Sequence, residues 1–141
     1  IPGRPAALAG SMTQVLGLGL DLVDRRRIER LLERHGDAFL RRVFLDGEIR
    51  AGVGAAGKAA HVAGLFAAKE AAMKALGTGW AQGVGFRQIE VLRQASGAPA
   101  LRFHGEARRR AAALGVRNLW LSISHDGASA VAVVVLEGVP P

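Results

Sequence analysis

Two carboxylates occupy positions where the surrounding sequence pattern favours apolar side chains. Asp21 lies at the end of an apolar segment, and Glu70 lies on the apolar face of a long predicted helix, beside Phe66 and Met73. An unpaired buried charge is costly, so each acid must have a partner. Two carboxylates together with phosphate oxygens and waters are a common way to hold Mg²⁺. The pair therefore suggests a magnesium-assisted reaction at a phosphate group.

Each of these acids also has a purely structural explanation. Glu70 and Lys74 have the spacing of an ion pair along one helix face, which is worth about 0.3–0.5 kcal/mol at a surface. Asp21 fits the turn that leads into the next helix, although Asp24 is the better N-cap for that helix. The position of Glu70 on the apolar edge favours a site, while spacing alone leaves both explanations open.

Periodicity and capping residues predict the elements that must position these side chains. They are, in chain order, a strand over residues 15–23, helices over 24–35 and 37–44, a long helix over 61–76, strands over 86–93 and 100–103, a helix over 105–114, and strands over 119–124 and 128–136. Residues 51–60, rich in glycine and alanine, are expected to form a mobile loop. His125-Asp126-Gly127 are expected to form the turn of the final hairpin. This order predicts an α+β fold with a mainly antiparallel sheet packed with a long helix.

Glycines mark two further positions of interest. Gly17 and Gly19 lie within the first strand, where glycine indicates close approach by another backbone or by a ligand. They do not form a dinucleotide-binding fingerprint, because they precede any turn and the third glycine is absent. Gly77-Thr78-Gly79, after the long helix, is either a ligand loop or a plain C-cap. His125 either binds phosphate or hydrogen-bonds to backbone.

Composition limits the class of protein and its partners. The chain has 141 residues, a net charge of +7 and no cysteine. The length fits one domain, which we place at residues 12–141, with residues 1–11 expected to be tag residues outside the fold. The lack of cysteine excludes disulfides and fits a cytoplasmic protein. No apolar run approaches the ~20 residues that span a bilayer, so no membrane is expected. The charge favours nucleic acid, an anionic membrane surface, phosphorylated ligands or an acidic protein, and composition does not distinguish among them.

Much of the positive charge lies in two arginine triplets, at residues 25–27 and 108–110. The second triplet is typical of a solvated helix face. The first lies on a helix that begins shortly after Asp21, and Arg27 and Arg34 share one stripe of that helix. This stripe would contact an acidic partner next to the proposed metal.

Three blocks of the sequence resemble the holo-acyl-carrier-protein synthases, the short class of 4′-phosphopantetheinyl transferases. They are Gly17–Val23 followed by Arg27-Ile28, Phe66–Ala71 continued by Lys74–Gly79, and Ser122–Asp126. The resemblance covers Met12 to Glu137, and its second block is highly specific. It implies the 4′-phosphopantetheinyl transferase fold. It also implies transfer of the phosphopantetheine arm of coenzyme A to a serine of an acyl carrier protein, leaving adenosine 3′,5′-bisphosphate.

The resemblance implies roles for the residues around the two acids. Asp21 and Glu70 would bind Mg²⁺, together with an oxygen of the coenzyme A diphosphate. Lys74 would lie beside that diphosphate, where a cation stabilises the charge that develops in the transition state. Either Glu70 or a metal-bound water would remove the serine proton.

It further implies the binding surfaces. Gly77-Thr78-Gly79 would line the nucleotide site, and His125 would meet the phosphate or ribose of the nucleotide. Arg27 and Arg34 would contact the acidic recognition helix of the carrier protein. The family forms homotrimers with each active site at a subunit boundary, so a homotrimer is expected.

One position departs from the family pattern and keeps alternatives open. Leu65 stands where an arginine usually precedes Phe66, so a phosphate contact is lost or is supplied by His61, Lys58 or another arginine. This departure keeps open an alternative in which the protein is a homologue that binds coenzyme A or the carrier protein without catalysing transfer. The charge alone favours a nucleic-acid-binding domain, but the chain has no tyrosine and no nucleic-acid-binding motif, so no nucleic acid is expected.

Overall fold

Two antiparallel sheets and four helices make up the part of the chain that the computed structural model describes, residues 12–78 and 82–141. In chain order the elements are β1 (Gln14–Asp24), α1 (Arg25–His35), α2 (Asp37–Val43), α3 (Ala55–Leu76), β2 (Ile89–Arg93), β3 (Pro99–Phe103), α4 (Gly105–Leu114), β4 (Val116–Asp126) and β5 (Ser129–Gly138). One sheet has the order β1-β5-β4, and the other pairs β2 with β3. The α+β class is therefore confirmed. The proposed tag at residues 1–11 and Gly79 lie outside the described residues.

Helix α3 is the centre of the fold and is buried along most of its length. Alanine is its commonest residue, and alanine favours helix and leaves room for close packing. A Cβ added at Gly17 would overlap the carbonyl oxygen of Ala75, and one at Gly19 would overlap that of Ala71. The two glycines therefore allow β1 to lie directly on the backbone of α3. The predicted close approach by another backbone is confirmed.

Strand β1 has two unlike faces because its side chains alternate. Gly17, Gly19 and Asp21 face α3, whereas Leu18, Leu20 and Leu22 face outward and are each between 59% and 68% exposed. The strand therefore presents Asp21 to the long helix and an apolar strip to the other side of the sheet.

Local signals placed the first two helices correctly. The side chain of Asp24 accepts a hydrogen bond from the Arg26 backbone N–H at 2.8 Å and caps α1. Gly36 ends that helix with a φ of 50°, and α2 follows directly. None of the helices in the described part of the chain is both long enough and apolar enough to cross a membrane.

Several predicted boundaries are wrong. Helix α3 begins at Ala55, so more than half of the expected loop at residues 51–60 is helical; alanine and glycine carry no period that would have revealed it. Strand β4 continues through Asp126, so the hairpin turn is Gly127-Ala128, with Gly127 supplying the positive φ that such turns need. A 3₁₀ turn at Phe86–Gln88 replaces the start of the predicted strand at 86–93.

Candidate active site

Asp21 and Lys74 join β1 to α3 at the site. The Lys74 ammonium nitrogen lies 3.0 Å from Oδ1 of Asp21 and donates a second hydrogen bond, also 3.0 Å long, to the Leu20 carbonyl oxygen. The side chain of Asp21 is only 14% exposed. Asp21 lies within the strand rather than in the turn, which Asp24 occupies. Its carboxylate is therefore held against α3 by a fixed cation.

Glu70 lies close enough to Asp21 for the two charges to interact. Burial raises the pKa of the Glu70 carboxyl, and the negative charge of Asp21 raises it further, while the positive charges of Arg27 and Lys74 act in the opposite direction. None of the ion pairs between described residues involves Glu70, because Lys74 is turned toward Asp21. The simple helix-face ion pair between Glu70 and Lys74 is therefore not formed, and the charge of Asp21 acts on Glu70 instead.

A cavity of about 420 Å³ opens beside Glu70. The guanidinium carbon of Arg27 lies 5.3 Å from the centre of the Phe66 ring at this cavity. The walls of the cavity are mostly apolar, with two arginines and one carboxylate among them. The lining residues are Arg27, Leu31, Phe39, Arg42, Val43, Phe66, Glu70 and Phe86. A ligand with an apolar part and an anionic part fits this combination of groups.

The donor set at Asp21 and Glu70 fits Mg²⁺ bound together with a phosphate ligand. Among the described residues, no group of three or more His, Cys, Asp or Glu side chains could hold a metal ion. Two carboxylates leave most coordination positions for water and substrate oxygens, which is the usual arrangement for Mg²⁺. A divalent cation between the two acids would also offset the repulsion that raises the pKa of Glu70.

The end of α3 combines a helix cap with an unused hydroxyl. Gly77 adopts the left-handed conformation, and its N–H donates to the Lys74 carbonyl oxygen at 3.0 Å. The Thr78 N–H donates to the Met73 carbonyl oxygen at 3.1 Å. The C-cap is therefore confirmed. The Thr78 hydroxyl oxygen, however, is buried without a hydrogen-bond partner among the described residues, a costly state that a ligand atom would relieve.

His125 lies in β4 and packs on α3. Its Nε2 lies 3.1 Å from the Ala60 carbonyl oxygen and must carry the proton, because a carbonyl can only accept. A Cβ at Gly64 would lie 2.8 Å from the same nitrogen, so glycine makes room for the ring. The backbone-bonded histidine is thus what the structure shows, although in a strand rather than in the turn. Its contact with a nucleotide stays a prediction.

The two arginines predicted to contact a partner lie in different surroundings on α1. Arg34 is exposed on the outer surface of the helix. Arg27 is also exposed, yet its guanidinium reaches the ring of Phe66 and lines the cavity of Glu70. Arg25 and Arg26 are engaged in ion pairs with nearby acids. Arg27 therefore connects the basic surface of α1 to the site.

The sequence analysis missed a buried ion pair beside the site. Lys69 is completely buried, and its ammonium nitrogen lies 2.7 Å from Oε1 of Glu48. It also donates to the carbonyl oxygens of Phe86 and Ile89, at 3.0 and 2.7 Å. Burial lowers the pKa of Lys69, and Glu48 opposes that effect. Through these contacts Lys69, the residue before Glu70, joins α3 to the segment before it at Glu48 and to the segment after it at Phe86 and Ile89. The available signal was Lys69 itself, which together with Glu70 interrupts the otherwise apolar run from Val62 to Met73.

Leu65 is buried and lines a cavity of about 290 Å³ together with Arg50, His61 and Arg93. His61 accepts a hydrogen bond at Nε2 from the Arg50 backbone N–H at 3.1 Å. Burial lowers the pKa of His61, and the charges of Arg50 and Arg93 lower it further. His61, one of the residues predicted to supply the phosphate contact in place of an arginine at position 65, therefore lines the same cavity as Leu65.

Comparisons with known proteins match nearly the whole described chain. Residues 17–134 match the family model described as the 4′-phosphopantetheinyl transferase superfamily. The chain is 53% identical over 124 residues to the holo-[acyl-carrier-protein] synthase of Solidesulfovibrio magneticus, covering 88% of this chain and 99% of that protein. It is 46% identical over 123 residues to the same enzyme of Solibacter usitatus, covering 87% and 98%. The crystal structure of Helicobacter pylori holo-[acyl-carrier-protein] synthase in complex with coenzyme A is similar, with a TM-score of 0.72, 34% identity and coverage of 84% of this chain and 98% of that chain.

Proposed function

Because the chain belongs to the 4′-phosphopantetheinyl transferase superfamily, we infer that it transfers the 4′-phosphopantetheine group of coenzyme A to a serine of an apo-acyl carrier protein. The products are the holo-carrier protein and adenosine 3′,5′-bisphosphate. The enzyme class rests on the similarity to curated synthases. The observation that supports our assignment of residues is the 3.0 Å contact between Lys74 and Asp21, which holds Asp21 against the helix that carries Glu70. The raised pKa of Glu70, due to burial and to the charge of Asp21, agrees with it.

We propose that Asp21 and Glu70 hold Mg²⁺ with an oxygen of the coenzyme A diphosphate. When bound there, the ion would neutralise charge on the diphosphate. In the reaction the serine Oγ forms a bond to the phosphorus of the phosphopantetheine group, and the bond from that phosphorus to the bridging diphosphate oxygen breaks. The bridging oxygen leaves with adenosine 3′,5′-bisphosphate.

Lys74 and Glu70 have distinct tasks in this proposal. Lys74 is fixed by Leu20 and Asp21, so its ammonium can meet the diphosphate without first being ordered. The serine proton would pass either to Glu70 or to a water held by the ion.

The substrate surfaces follow from the elements around the site. The Gly77-Thr78 turn would contact the nucleotide through the Thr78 hydroxyl, which has no hydrogen-bond partner in the described part of the chain, and His125 would lie near the phosphate or ribose of the nucleotide. Arg27 and Arg34 would contact the acidic helix of the carrier protein. Arg27 lines the cavity that contains Glu70, which supports entry of the serine from the side of α1.

The outer face of the β1-β5-β4 sheet supports the proposed homotrimer. Leu18, Leu20 and Leu22 are exposed on β1, and Trp120 on β4 is 56% exposed. Leu18 and Trp120 are both paired with Val135 of β5, so the apolar strip crosses the sheet. Apolar patches of this kind commonly mark protein interfaces. We propose a cytoplasmic location for this assembly, consistent with a chain that has no cysteine.

Intact-mass spectrometry tests the proposed function directly. Apo-acyl carrier protein is incubated with the enzyme, coenzyme A and Mg²⁺, with chelator in a parallel sample. We expect a metal-dependent gain of one phosphopantetheinyl group, which Asp21→Ala and Glu70→Ala abolish. If the mass of several carrier proteins does not increase although coenzyme A still binds, the result would instead support the alternative raised by Leu65, a homologue that binds without turnover.

A further inference from the structure

Three consecutive arginines of α4 lie in three different environments. Arg108 lines an open cleft between α4, β3 and β4. Arg109 forms an ion pair of 2.6 Å with Glu106 on the same helix. The side chain of Arg110 extends from α4 to the end of α3, where its Nε donates a hydrogen bond of 3.2 Å to the carbonyl oxygen of Leu76, 34 residues away in sequence. The triplet is therefore not a uniform solvated face.

The bond from Arg110 satisfies a carbonyl that the helix itself cannot. The last four carbonyls of an α-helix have no partner within the helix. At the end of α3 the Met73 carbonyl accepts from Thr78, and the Lys74 carbonyl accepts from Gly77. Leu76 is the last residue of α3, and its carbonyl accepts from Arg110. A cation also interacts favourably with the C-terminal end of a helix.

The same guanidinium lies beside the Gly77-Thr78 turn. One of its terminal nitrogens is 3.8 Å from the position that a Cβ on Gly77 would occupy. Gly77 adopts the left-handed conformation, and the Thr78 hydroxyl that follows is buried with no hydrogen-bond partner in residues 12–78 and 82–141. Fixing Leu76 on one side of Gly77 therefore limits the positions available to Thr78 on the other side.

We propose that Arg110 is a positioning residue for coenzyme A binding, acting through the Gly77-Thr78 turn. This inference rests on the proposed function, in which that turn contacts the nucleotide. Arg110 holds the carbonyl of Leu76, the carbonyl orients the turn, and the turn presents the Thr78 hydroxyl to the ligand.

Steady-state kinetics of Arg110→Ala test this role. We expect the KM for coenzyme A to rise about tenfold, the effect of losing one charge-assisted hydrogen bond, while kcat stays within about twofold. A tether that only stabilised the fold would lower the fraction of active enzyme, and hence the apparent kcat, without changing KM. Arg110→Lys keeps a cationic donor and should recover most of the affinity. Arg109→Ala is the matched control, because Arg109 contacts only its own helix in the described ion pairs, and it should behave as the parent protein.

Titration calorimetry of coenzyme A separates failure of this inference from failure of the proposed function. A parent enzyme that transfers phosphopantetheine, with an unchanged KM in Arg110→Ala, overturns the role of Arg110 and leaves the function standing. Equal rises in KM for Arg109→Ala and Arg110→Ala also overturn it. A parent protein that binds coenzyme A without transfer overturns the proposed function, and the ratio of Kd values between the parent and Arg110→Ala then decides the inference. A parent protein that neither transfers nor binds coenzyme A overturns both.

Discussion

The geometry around Asp21 explains why one lysine and two acids form a unit. Lys74 is bonded to Asp21 and to the Leu20 carbonyl, so it cannot also neutralise Glu70 through the usual helix-face pair. Glu70 is left with a raised pKa beside a second negative charge. This arrangement has little value for stability, since a partly buried carboxylate without a bonded cation costs free energy. It agrees with the divalent-cation site that we propose.

Replacing either acid should remove both the activity and the response to metal. We expect Asp21→Asn and Glu70→Gln to lower kcat/KM at least about a hundredfold, because charge stabilisation at the diphosphate is lost. Mg²⁺ with coenzyme A should raise the Tm of the parent protein but not of either variant. Glu29→Gln, which removes a surface ion pair with Arg25, is the control and should change neither quantity. A variant that keeps the full metal-dependent rise in Tm would contradict the assignment.

His61 should make stability depend on mild acid. Burial lowers its pKa from the ordinary value of 6.5, so the unfolded chain binds a proton at higher pH than the folded chain does. Stability is therefore complete above about pH 6.5 and falls as pH decreases toward the lower pKa of the folded state. Urea unfolding at pH 7.5 and pH 5.5 measures the loss. We expect His61→Gln to show a smaller loss between these conditions than the parent, and an equal loss would refute the role of His61.

At the scale of elements, the contact between β1 and α3 depends on glycine. A Cβ at Gly19 would overlap the backbone of α3, which cannot move aside without displacing the whole helix. We expect Gly19→Ala to lower the free energy of unfolding by about 3 kcal/mol, the upper end for overpacking. Activity should fall as well, because Asp21 and Glu70 lie on the two elements that are forced apart. Gly54→Ala, at a site with nothing within 4 Å of the added Cβ, is the control and should shift stability by only about 0.5 kcal/mol.

Elements with local end signals were predictable from sequence, and those without them were not. Asp24 and Gly36 bracket α1, and Gly77 ends α3, because a side-chain cap or a left-handed glycine acts within a few residues of itself. The start of α3 at Ala55 has no such signal, since no side chain caps it. Of residues 55 and 57–60, Ala59 alone is buried, so the apolar pattern that marks the rest of α3 is absent there.

The residues of the candidate site also fall into those that the sequence predicted and those that it did not. Asp21 and Glu70 stand out because a carboxylate conflicts with an apolar pattern. The pairing of Lys69 with Glu48 does not stand out, because it joins residues 21 positions apart and depends on the path of the loop before α3. The bond from Arg110 to Leu76 is hidden for the same reason: a run of three arginines predicts a surface and does not distinguish its members.

At the scale of the whole molecule, the net charge of +7 should govern the encounter with an acidic carrier protein. Screening by salt weakens attraction between exposed charges. We expect the KM for the carrier protein to rise several-fold between low and high ionic strength, and the slope to be smaller for Arg34→Ala. Arg34→Ala should change the KM for coenzyme A, measured in parallel, less than it changes the KM for the carrier protein. An Arg34→Ala enzyme with the full salt dependence would exclude Arg34 from the docking surface.

The apolar strip on β1 should control assembly. Leu20 is 59% exposed in the single chain, so Leu20→Lys should cost little for folding. We expect sedimentation velocity to show a smaller species than for the parent protein, with lower activity per subunit if the site lies at a boundary. Ala113→Lys, a charge added on the exposed side of α4, is the control and should leave the assembly intact. A Leu20→Lys protein that sediments as the parent does would exclude this face as the interface.

The two faces of β1 have a consequence for how this strand can change in length. Asp21 and the two glycines occupy alternate positions with the leucines, so deletion of one residue inside the strand would exchange the faces beyond that point. A leucine would then meet the backbone of α3, and the carboxylate would turn away from Glu70. Gains or losses of residues inside the regular ladder from Gly17 to Asp24 are therefore tolerable only in pairs, and a library of single-residue deletions should show this segment as a block without survivors.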